Sequence, residues 1–352
     1  MSPTLKTNPG NYFEDFQVGQ ILDHATPRTI TAGDVALYLA LTGSRFVLNC
    51  AEPFAHSLGF PEAPIDDWLL FHMVFGKTVP DVSLNAVANL GYAAGRFLAP
   101  AYVGDTVSAT SEVIGLKENS NGETGTVYVR SIGHNQLGET VLDYVRWVMV
   151  RKRDKANPAP KPEVPSLPDA VPVDALAIPD GLVLETYDDG RAGSPHRWGD
   201  YAVGEQIDHV DGMTIEEAEH QSTTRLYQNN AKVHFNQFEQ GQGRFGRRLI
   251  YGGHVISLAR ALSFNGLGNA FKIAGLNGGR HVAPCFAGDT VYAWSEVVAA
   301  EPIAGRTDLG ALRLRTYALK NQIAAAFPGR IDGGGYDAAV ILELDYWVLM
   351  PR

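Results

Sequence analysis

Asn229 and His234 have side chains that could hold a water molecule and move its proton. They lie five residues apart in the segment TTRLYQNNAKVHFN at 223–236. An imidazole with a pKa near ~6.5 can accept a proton from water and return it in a later step. The asparagine amide can hold the water by hydrogen bonds but cannot take its proton. The pair could therefore hold a water molecule and move its proton, with His234 as base and acid.

Gly252 and Gly253 stand directly before an apolar segment, 254–262, whose spacing predicts a helix. The start of a helix presents free N–H groups, and a glycine lets a ligand approach them closely. Such N–H groups can stabilise negative charge that develops on an oxygen of a bound substrate. We predict that Gly253 supplies this N–H donor and that Gly252 contacts the substrate. His254 either lines the site or is a partly buried structural residue.

A basic, glycine-rich loop precedes these glycines. It contains the pattern G-x-G-x-x-G at 241–246, but no apolar strand comes before it, so a dinucleotide fingerprint is rejected. Its arginines could bind a carboxylate or a phosphate, and a solvated loop is the alternative. The candidates are Arg244, Arg247 and Arg248. Arg280 could reach the same ligand, although its counterpart in the repeat described below, Arg96, favours a structural role.

Four other side chains could carry chemistry but are better explained without it. Asp66, Asp67 and Glu239 could each replace a catalytic carboxylate, but we predict solvated side chains for all three. Cys285 follows a proline and has no histidine nearby in sequence to activate it. We predict that it is a small buried apolar residue.

The chain contains two copies of one domain. GRFLAPAYVGDTVSATSEV at 95–113 matches GRHVAPCFAGDTVYAWSEV at 279–297 without a gap, and further matches flank both segments. The stretch between the copies contains seven prolines, which disfavour both helix and sheet. We predict an N-terminal domain at 1–153, a linker at 154–180 and a C-terminal domain at 181–352.

Each copy has the pattern of a central helix followed by antiparallel strands. The apolar segments 68–75 and 254–262 occupy matching positions and predict the two helices. Period-two alternation at 126–130 and 290–294 predicts half-buried strands. The expected fold class is α+β, with a sheet wrapped around one helix in each copy.

These motifs resemble those of the MaoC-like hydratases and dehydratases. The segments 41–55 and 227–234 are similar to that family's dehydratase motif, and the later Gly-Arg-x-x-Ala-Pro pattern is similar to the strand after its central helix. The resemblance covers both copies. It implies a double hot-dog fold and (R)-specific hydration or dehydration of an acyl-CoA, with no cofactor beyond the CoA of the substrate.

The family's catalytic pair is an Asp followed five residues later by a His. The second copy keeps the His as His234 but has Asn229 for the Asp, while the first copy has Ser44 and Asn49. Asp67-Trp68 also replaces the glycine pair in the first copy. The resemblance therefore implies a silent first copy and a catalytic second copy.

Within this superfamily, the length, the linker and the segment 223–236 look most like the mesaconyl-CoA hydratases, also called β-methylmalyl-CoA dehydratases. This implies interconversion of mesaconyl-C1-CoA plus water with β-methylmalyl-CoA. The alternatives are an enoyl-CoA hydratase of broader specificity, a hot-dog thioesterase and a non-catalytic acyl-binding module.

The composition further narrows the possible classes of protein and of binding partner. The 352 residues carry a formal net charge of −10, which disfavours a nucleic-acid or anionic-membrane surface as the main partner. The two cysteines exclude a disulfide framework, and no metal-ligand spacing is present. No apolar leader and no stretch long enough to span a membrane were found. We expect a cytoplasmic protein that binds an acyl-CoA, and a homo-oligomer is left open.

Overall fold

Each half of the chain folds into five antiparallel strands and one long central helix. The computed structural model describes residues 6–352. Residues 1–5, which belong to the N-terminal stretch where no apolar leader was found, lie outside the described residues. The first half has the order β1 (Ile21–Thr29), α1 (Ala32–Thr42), α2 (Val47–Cys50), α3 (Glu52–Ser57), α4 (Asp67–Thr78), β2 (Ala86–Phe97), β3 (Thr106–Glu118), β4 (Thr124–His134) and β5 (Thr140–Arg151).

The second half repeats this order with additional short helices. After α5 (Asp189–Ala192) come β6 (Gln206–Thr214), α6 (Glu217–Leu226), α7 (Lys232–Phe235), α8 (Gln237–Gln240), α9 (Gly252–Leu262), α10 (Phe264–Leu267), β7 (Lys272–His281), β8 (Thr290–Pro302), β9 (Leu309–Lys320) and β10 (Val340–Pro351). The repeat read from the sequence is thus a repeat of structure. The predicted helices lie within α4 and α9, and the predicted strands within β4 and β8.

All ten strands form one continuous sheet. The order is β1-β3-β4-β5-β2-β7-β10-β9-β8-β6, so the two halves join where β2 pairs antiparallel with β7. Each half has the same internal strand order, read outward from this junction. The fold class is α+β, as predicted, and the arrangement is that of two fused hot-dog units.

The central helices are buried against this sheet and meet each other across the junction. Eleven residues of α4 and ten of α9 are buried, as expected for helices that are apolar on more than one face. Gly76 of α4 lets the second half come close, because a Cβ there would lie 1.7 Å from the Tyr227 carbonyl oxygen. No helix within residues 6–352 is long and apolar enough to cross a bilayer.

The proline-rich stretch crosses from one half to the other. Glu163 forms a bridge to Leu116 of β3 in the first half. Further along, the Val171 N–H donates to Asn277 Oδ1 (2.8 Å), and Trp347 Nε1 donates to the Val171 carbonyl (3.0 Å). This path fits an extended connection between the halves, and the boundaries at 153 and 180 stay a proposed division.

Candidate active site

A cavity of about 320 Å³ lies between the two halves, at the start of α9. The second half contributes Asn229, His234, Gly252 and His281 to its wall, and the first half contributes Tyr92 and Arg146. Three of the residues predicted from the sequence are therefore brought together in one place. The volume suits a small acyl group, whose CoA portion would extend through the mouth.

His234 is oriented by a backbone carbonyl. It lies on the short helix α7, and its Nδ1 is 2.9 Å from the Leu249 carbonyl oxygen, so Nδ1 is the protonated nitrogen. The other nitrogen, Nε2, is then the proton acceptor. Burial lowers the pKa of His234 to about 4, well below the value near 6.5 expected from the sequence. The imidazole is consequently neutral at pH 7 and ready to act as a base.

Asn229 presents an amide donor to the same cavity. It follows Gln228, which has a positive φ of 55° where the equivalent residue of the first half, Gly43, has 69°. The Asn229 Oδ1 accepts from the Ala231 N–H (2.9 Å), which fixes the amide orientation. Among the described residues, its Nδ2 has no acceptor, so this group is free to donate to a water or a substrate oxygen.

The glycine pair forms the first turn of α9. Among the residues that the structure describes, no acceptor takes the N–H of Gly252 or Gly253. A Cβ on Gly252 would lie 2.3 Å from His281 Cε1, and one on Gly253 would lie 2.3 Å from the Tyr251 ring. Crowding by these rings explains why both positions are glycine. Gly252 lines the cavity, whereas Gly253 is buried directly behind it.

In the first half, the side chains of Asp67 and Trp68 fill the space at the position equivalent to the glycine pair. The Asp67 carboxylate accepts from Lys272 Nζ (2.7 Å) and from the Ile273 N–H (2.8 Å). Trp68 has no exposed surface. In the second half, Gly252 and Ala88 replace Asp67 and Lys272, and the space that this ion pair occupies in the first half is part of the cavity.

The other first-half counterparts are structural in their contacts. The Asn49 amide donates to the Pro64 carbonyl (2.9 Å), and Ser44 is buried. The prediction that Asp66 and Asp67 are solvated is wrong. Asp66 is 4% exposed, accepts from the Trp68 N–H (2.8 Å) and from the Tyr38 hydroxyl (3.1 Å), and has a pKa raised by burial. Tyr38, Lys272 and Ile273 belong to distant elements, which no local pattern reveals.

The basic loop lies near the mouth of the cavity. Phe245 lines the cavity, and the exposed guanidinium of Arg244 lies 5.1 Å from its ring centre. The exposed Arg247 lies over Phe286 at 4.0 Å. These two arginines can reach a ligand at the mouth. Arg248 differs from them, because its guanidinium is already paired with Glu217.

Five predicted binding residues are not part of the cavity wall, namely the three arginines of the basic loop, Arg280 and His254. Arg280 is exposed on β7, and His254 is buried within α9, where desolvation lowers its pKa to about 4. Glu239 is exposed, as predicted. Cys285 is buried, as predicted, and it borders the cavity with a thiol whose pKa burial raises to about 12.

Sequence reasoning missed His281, Tyr92 and Arg146. The Tyr92 hydroxyl lies 3.2 Å from His281 Nε2, and desolvation lowers the pKa of His281 to about 4. The repeat contained a signal for the arginine, because Arg146 corresponds to Tyr346 beside the matched Trp147 and Trp347. Such a departure between two copies marks a position where they differ in role.

The cavity wall contains no carboxylate among residues 6–352. In the same part of the chain, no group of three or more His, Cys, Asp or Glu side chains is placed to hold a metal ion. Proton transfer in this cavity is therefore left to imidazole and phenol groups, and the Asn229 amide can hold a water but cannot take its proton. Charge on a ligand would be met by Arg146 and by the N–H groups of α9.

Comparison with known proteins agrees with this geometry. The model of the mesaconyl-CoA hydratase family matches residues 4–332. The β-methylmalyl-CoA dehydratase of Chloroflexus aurantiacus is 63% identical over 99% of each chain. The mesaconyl-CoA hydratase of Cereibacter sphaeroides is 58% identical over 99% of this chain and 100% of its own.

Solved structures confirm the predicted fold. A MaoC-domain dehydratase structure from Chloroflexus aurantiacus, 63% identical, superposes with a TM-score of 0.97 and covers 99% of both chains. A double hotdog protein of Mycobacterium tuberculosis, 24% identical, covers 97% of this chain and 99% of its own with a TM-score of 0.73. The chain therefore belongs to the mesaconyl-CoA hydratase family and has the MaoC-like double hot-dog fold.

Proposed function

We propose that the protein is a hydro-lyase that interconverts mesaconyl-C1-CoA (2-methylfumaryl-CoA) plus water with β-methylmalyl-CoA, in the cavity at the start of α9. One observation carries this proposal: a neutral His234 with a free Nε2 shares the cavity with Gly252, whose N–H at the start of α9 has no acceptor among the described residues. The 63% and 58% identical relatives, a β-methylmalyl-CoA dehydratase and a mesaconyl-CoA hydratase, supply the acyl group.

The reaction divides between these groups as follows. His234 Nε2 takes a proton from a water that the Asn229 Nδ2 also holds, and the water oxygen bonds to C3 of the acyl chain. Electrons of the double bond move toward the thioester oxygen, whose charge the N–H of Gly252 at the cavity wall stabilises, with the N–H of Gly253 behind it adding to the positive start of α9. The imidazolium then protonates C2. A low imidazole pKa favours this last step, because the protonated ring is a stronger acid.

The cavity disfavours the thioesterase alternative. In a hot-dog thioesterase, a carboxylate activates water to attack the thioester carbonyl, but the cavity wall within the described residues has no Asp or Glu. Hydration removes the absorbance of the conjugated enoyl thioester and releases no thiol, whereas hydrolysis releases CoA. Loss of the enoyl absorbance with no free thiol is the expected result. A thiol signal that rises in step with substrate loss would support the thioesterase, and no change in either would leave only an acyl-binding role.

The CoA portion of the substrate would extend past Phe245 toward Arg244 and Arg247, whose charges suit its phosphates. CoA esters are made and used inside cells, so we also propose a cytoplasmic location, to be checked by cell fractionation. Sedimentation of the purified protein would show whether it forms a homo-oligomer.

Asn229→Asp is expected to shift substrate preference away from acyl groups with a free carboxylate. The new carboxylate replaces an N–H donor with a negative oxygen, which repels a substrate anion in the same cavity. We expect the ratio of kcat/KM for mesaconyl-C1-CoA to that for crotonyl-CoA, which has no carboxylate, to fall by roughly tenfold or more.

Asn229→Ala is the matched control, because it removes the amide without adding charge. It should cost about 1–3 kcal/mol of transition-state stabilisation with either substrate. If Asn229→Asp leaves the ratio unchanged, sparing a substrate anion is not the reason for asparagine at this position.

The pH dependence should reflect the low pKa of His234. A base must be unprotonated, so kcat/KM should stay level as the pH falls through 6.5 and decline only as it approaches about 4. The measurement is kcat/KM between pH 4 and 8, with substrate stability checked at each pH.

Circular dichroism at each pH separates catalysis from unfolding. His220 and His254 are also buried with lowered pKa values, about 3 and about 4, so the unfolded chain binds more protons below pH 6.5 and stability falls as the pH drops from there. A half-maximal loss of kcat/KM near pH 6.5 with the fold intact would contradict a buried, neutral His234.

A further inference from the structure

Arg146 is a buried cation without a carboxylate partner. It lies on β5, lines the cavity and has no exposed surface. Its guanidinium donates to Thr78 Oγ1 (2.7 Å) and, at 3.3–3.4 Å, to Ser83 Oγ. Its Nε has no acceptor within residues 6–352. An arginine stays charged in proteins, and an unpaired charge out of water is strongly unfavourable.

The surroundings of Arg146 supply only neutral groups. Its guanidinium lies 4.2 Å from the Phe75 ring centre, and the groups that favour its charge are the hydroxyls of Tyr92, Tyr144 and Tyr251. Two more polar side chains of the wall, Tyr251 and Asn89, have buried atoms without partners in the described chain. This side of the cavity therefore offers several hydrogen-bonding groups to a polar ligand.

The equivalent place at the start of α4 has its anions built in. There the buried arginine is Arg260 of α9, which occupies the position equivalent to Phe75, and the groups that favour its charge include Tyr346, Asp66 and Asp67. The residues equivalent to these two acids in the second half are Tyr251 and Gly252. The cavity thus has a buried arginine but lacks the carboxylates that accompany Arg260 at the start of α4.

The proposed substrate carries one carboxylate, and it is attached to C3, the carbon that water attacks. A guanidinium fork binds a carboxylate through two parallel hydrogen bonds, and this pairing is among the strongest in proteins. Neutralising the carboxylate also makes C3 more open to attack by water. We propose that Arg146 binds the free carboxylate of the substrate and makes the enzyme specific for enoyl thioesters that end in a carboxylate. The inference rests on the proposed function and names the residue that selects its acyl group.

The test compares two thioesters that differ only at this carboxylate. In (E)-2-methylbut-2-enoyl-CoA a methyl group replaces the carboxylate of mesaconyl-C1-CoA. Arg146→Gln should raise the Kd of mesaconyl-C1-CoA by about 10²–10³-fold, measured by calorimetry in the non-hydrating His234→Ala background. The Kd of the methyl analogue should change by less than about threefold. In the otherwise wild-type protein, kcat/KM should show the same selectivity.

Arg146→Lys and Arg260→Gln are controls that separate a loss of carboxylate binding from a loss of fold. Arg146→Lys keeps a charge and should lose selectivity only partly, because lysine lacks the planar fork. Arg260→Gln changes the buried arginine at the equivalent place by the start of α4, outside the cavity wall, and should leave the ratio of the two Kd values as it is. Thermal unfolding of each variant identifies any loss of fold.

Two outcomes would overturn the proposal: an equal loss of affinity for both thioesters in Arg146→Gln and Arg146→Lys, or no loss for either. Binding is measured apart from turnover, so the proposed function can fail separately. If the wild-type protein hydrates neither thioester but Arg146→Gln selectively weakens the one with the carboxylate, the inference about Arg146 stands and the hydratase proposal fails.

Discussion

Replacing His234 with alanine is expected to lower kcat by about 10²–10⁴-fold, the usual cost of losing a general acid–base group. The expectation is strong here because the described cavity wall has no carboxylate that could take over. The bond from His234 Nδ1 to the Leu249 carbonyl leaves Nε2 as the acceptor, so a single nitrogen serves both proton transfers. Steady-state rates with mesaconyl-C1-CoA measure the effect, with circular dichroism to confirm the fold.

Asn49→Ala is the matched control in the first half. Asn49 occupies the position equivalent to His234, but its amide donates to the Pro64 carbonyl. We expect turnover within a few fold of wild type. A loss as large as that in His234→Ala, with the fold retained, would mean that the first half is not silent.

Gly252→Asp should abolish most activity by giving the second half the residue that fills the first. The new carboxylate would lie at the start of α9, where the thioester oxygen gathers charge, and its Cβ would meet the His281 ring. Aspartate keeps the backbone N–H, but its negative charge opposes the charge that this N–H stabilises, so the loss should exceed the about 10²–10³-fold that follows removal of one oxyanion donor. We expect kcat/KM to fall by about 10³-fold or more.

Two further variants separate charge from crowding. Gly252→Asn has nearly the same size without the charge, so the difference between Asn and Asp measures electrostatic repulsion. Adding Ala88→Lys to Gly252→Asp rebuilds the pairing of Asp67 with Lys272 seen in the silent half. The double variant should unfold at a higher temperature than Gly252→Asp while staying inactive. If Gly252→Asp retained more than about a tenth of wild-type kcat/KM, the start of α9 would not be the oxyanion site.

The sequence was informative where the pattern is local. The repeat predicted two equivalent halves, and the motifs identified Asn229, His234 and Gly252, which line one cavity. Asn229 and His234 are close in sequence, and Gly252 stands at a helix start that the local pattern predicts. The α+β class followed from the change of hydrophobic period along each copy.

The other half of the cavity could not be derived in this way. Tyr92 and Arg146 come from β2 and β5 of the first half, and they face the second half because β2 pairs with β7. Nothing local specifies that pairing. The ion pair of Asp67 with Lys272 also depends on a contact between the halves. The sequence signal that comes nearest to predicting these residues is a difference between the two copies at equivalent positions, such as Arg146 and Tyr346.

The most direct test of the account is the mass of the product formed from mesaconyl-C1-CoA in D₂O. Wild-type protein and Asn49→Ala should give a thioester heavier by one molecule of water, with deuterium at C2 and no free CoA. His234→Ala should give this product at less than about a hundredth of the wild-type rate. Free CoA as the main product, or a His234→Ala rate above about a tenth of wild type, would contradict hydration by His234 in this cavity.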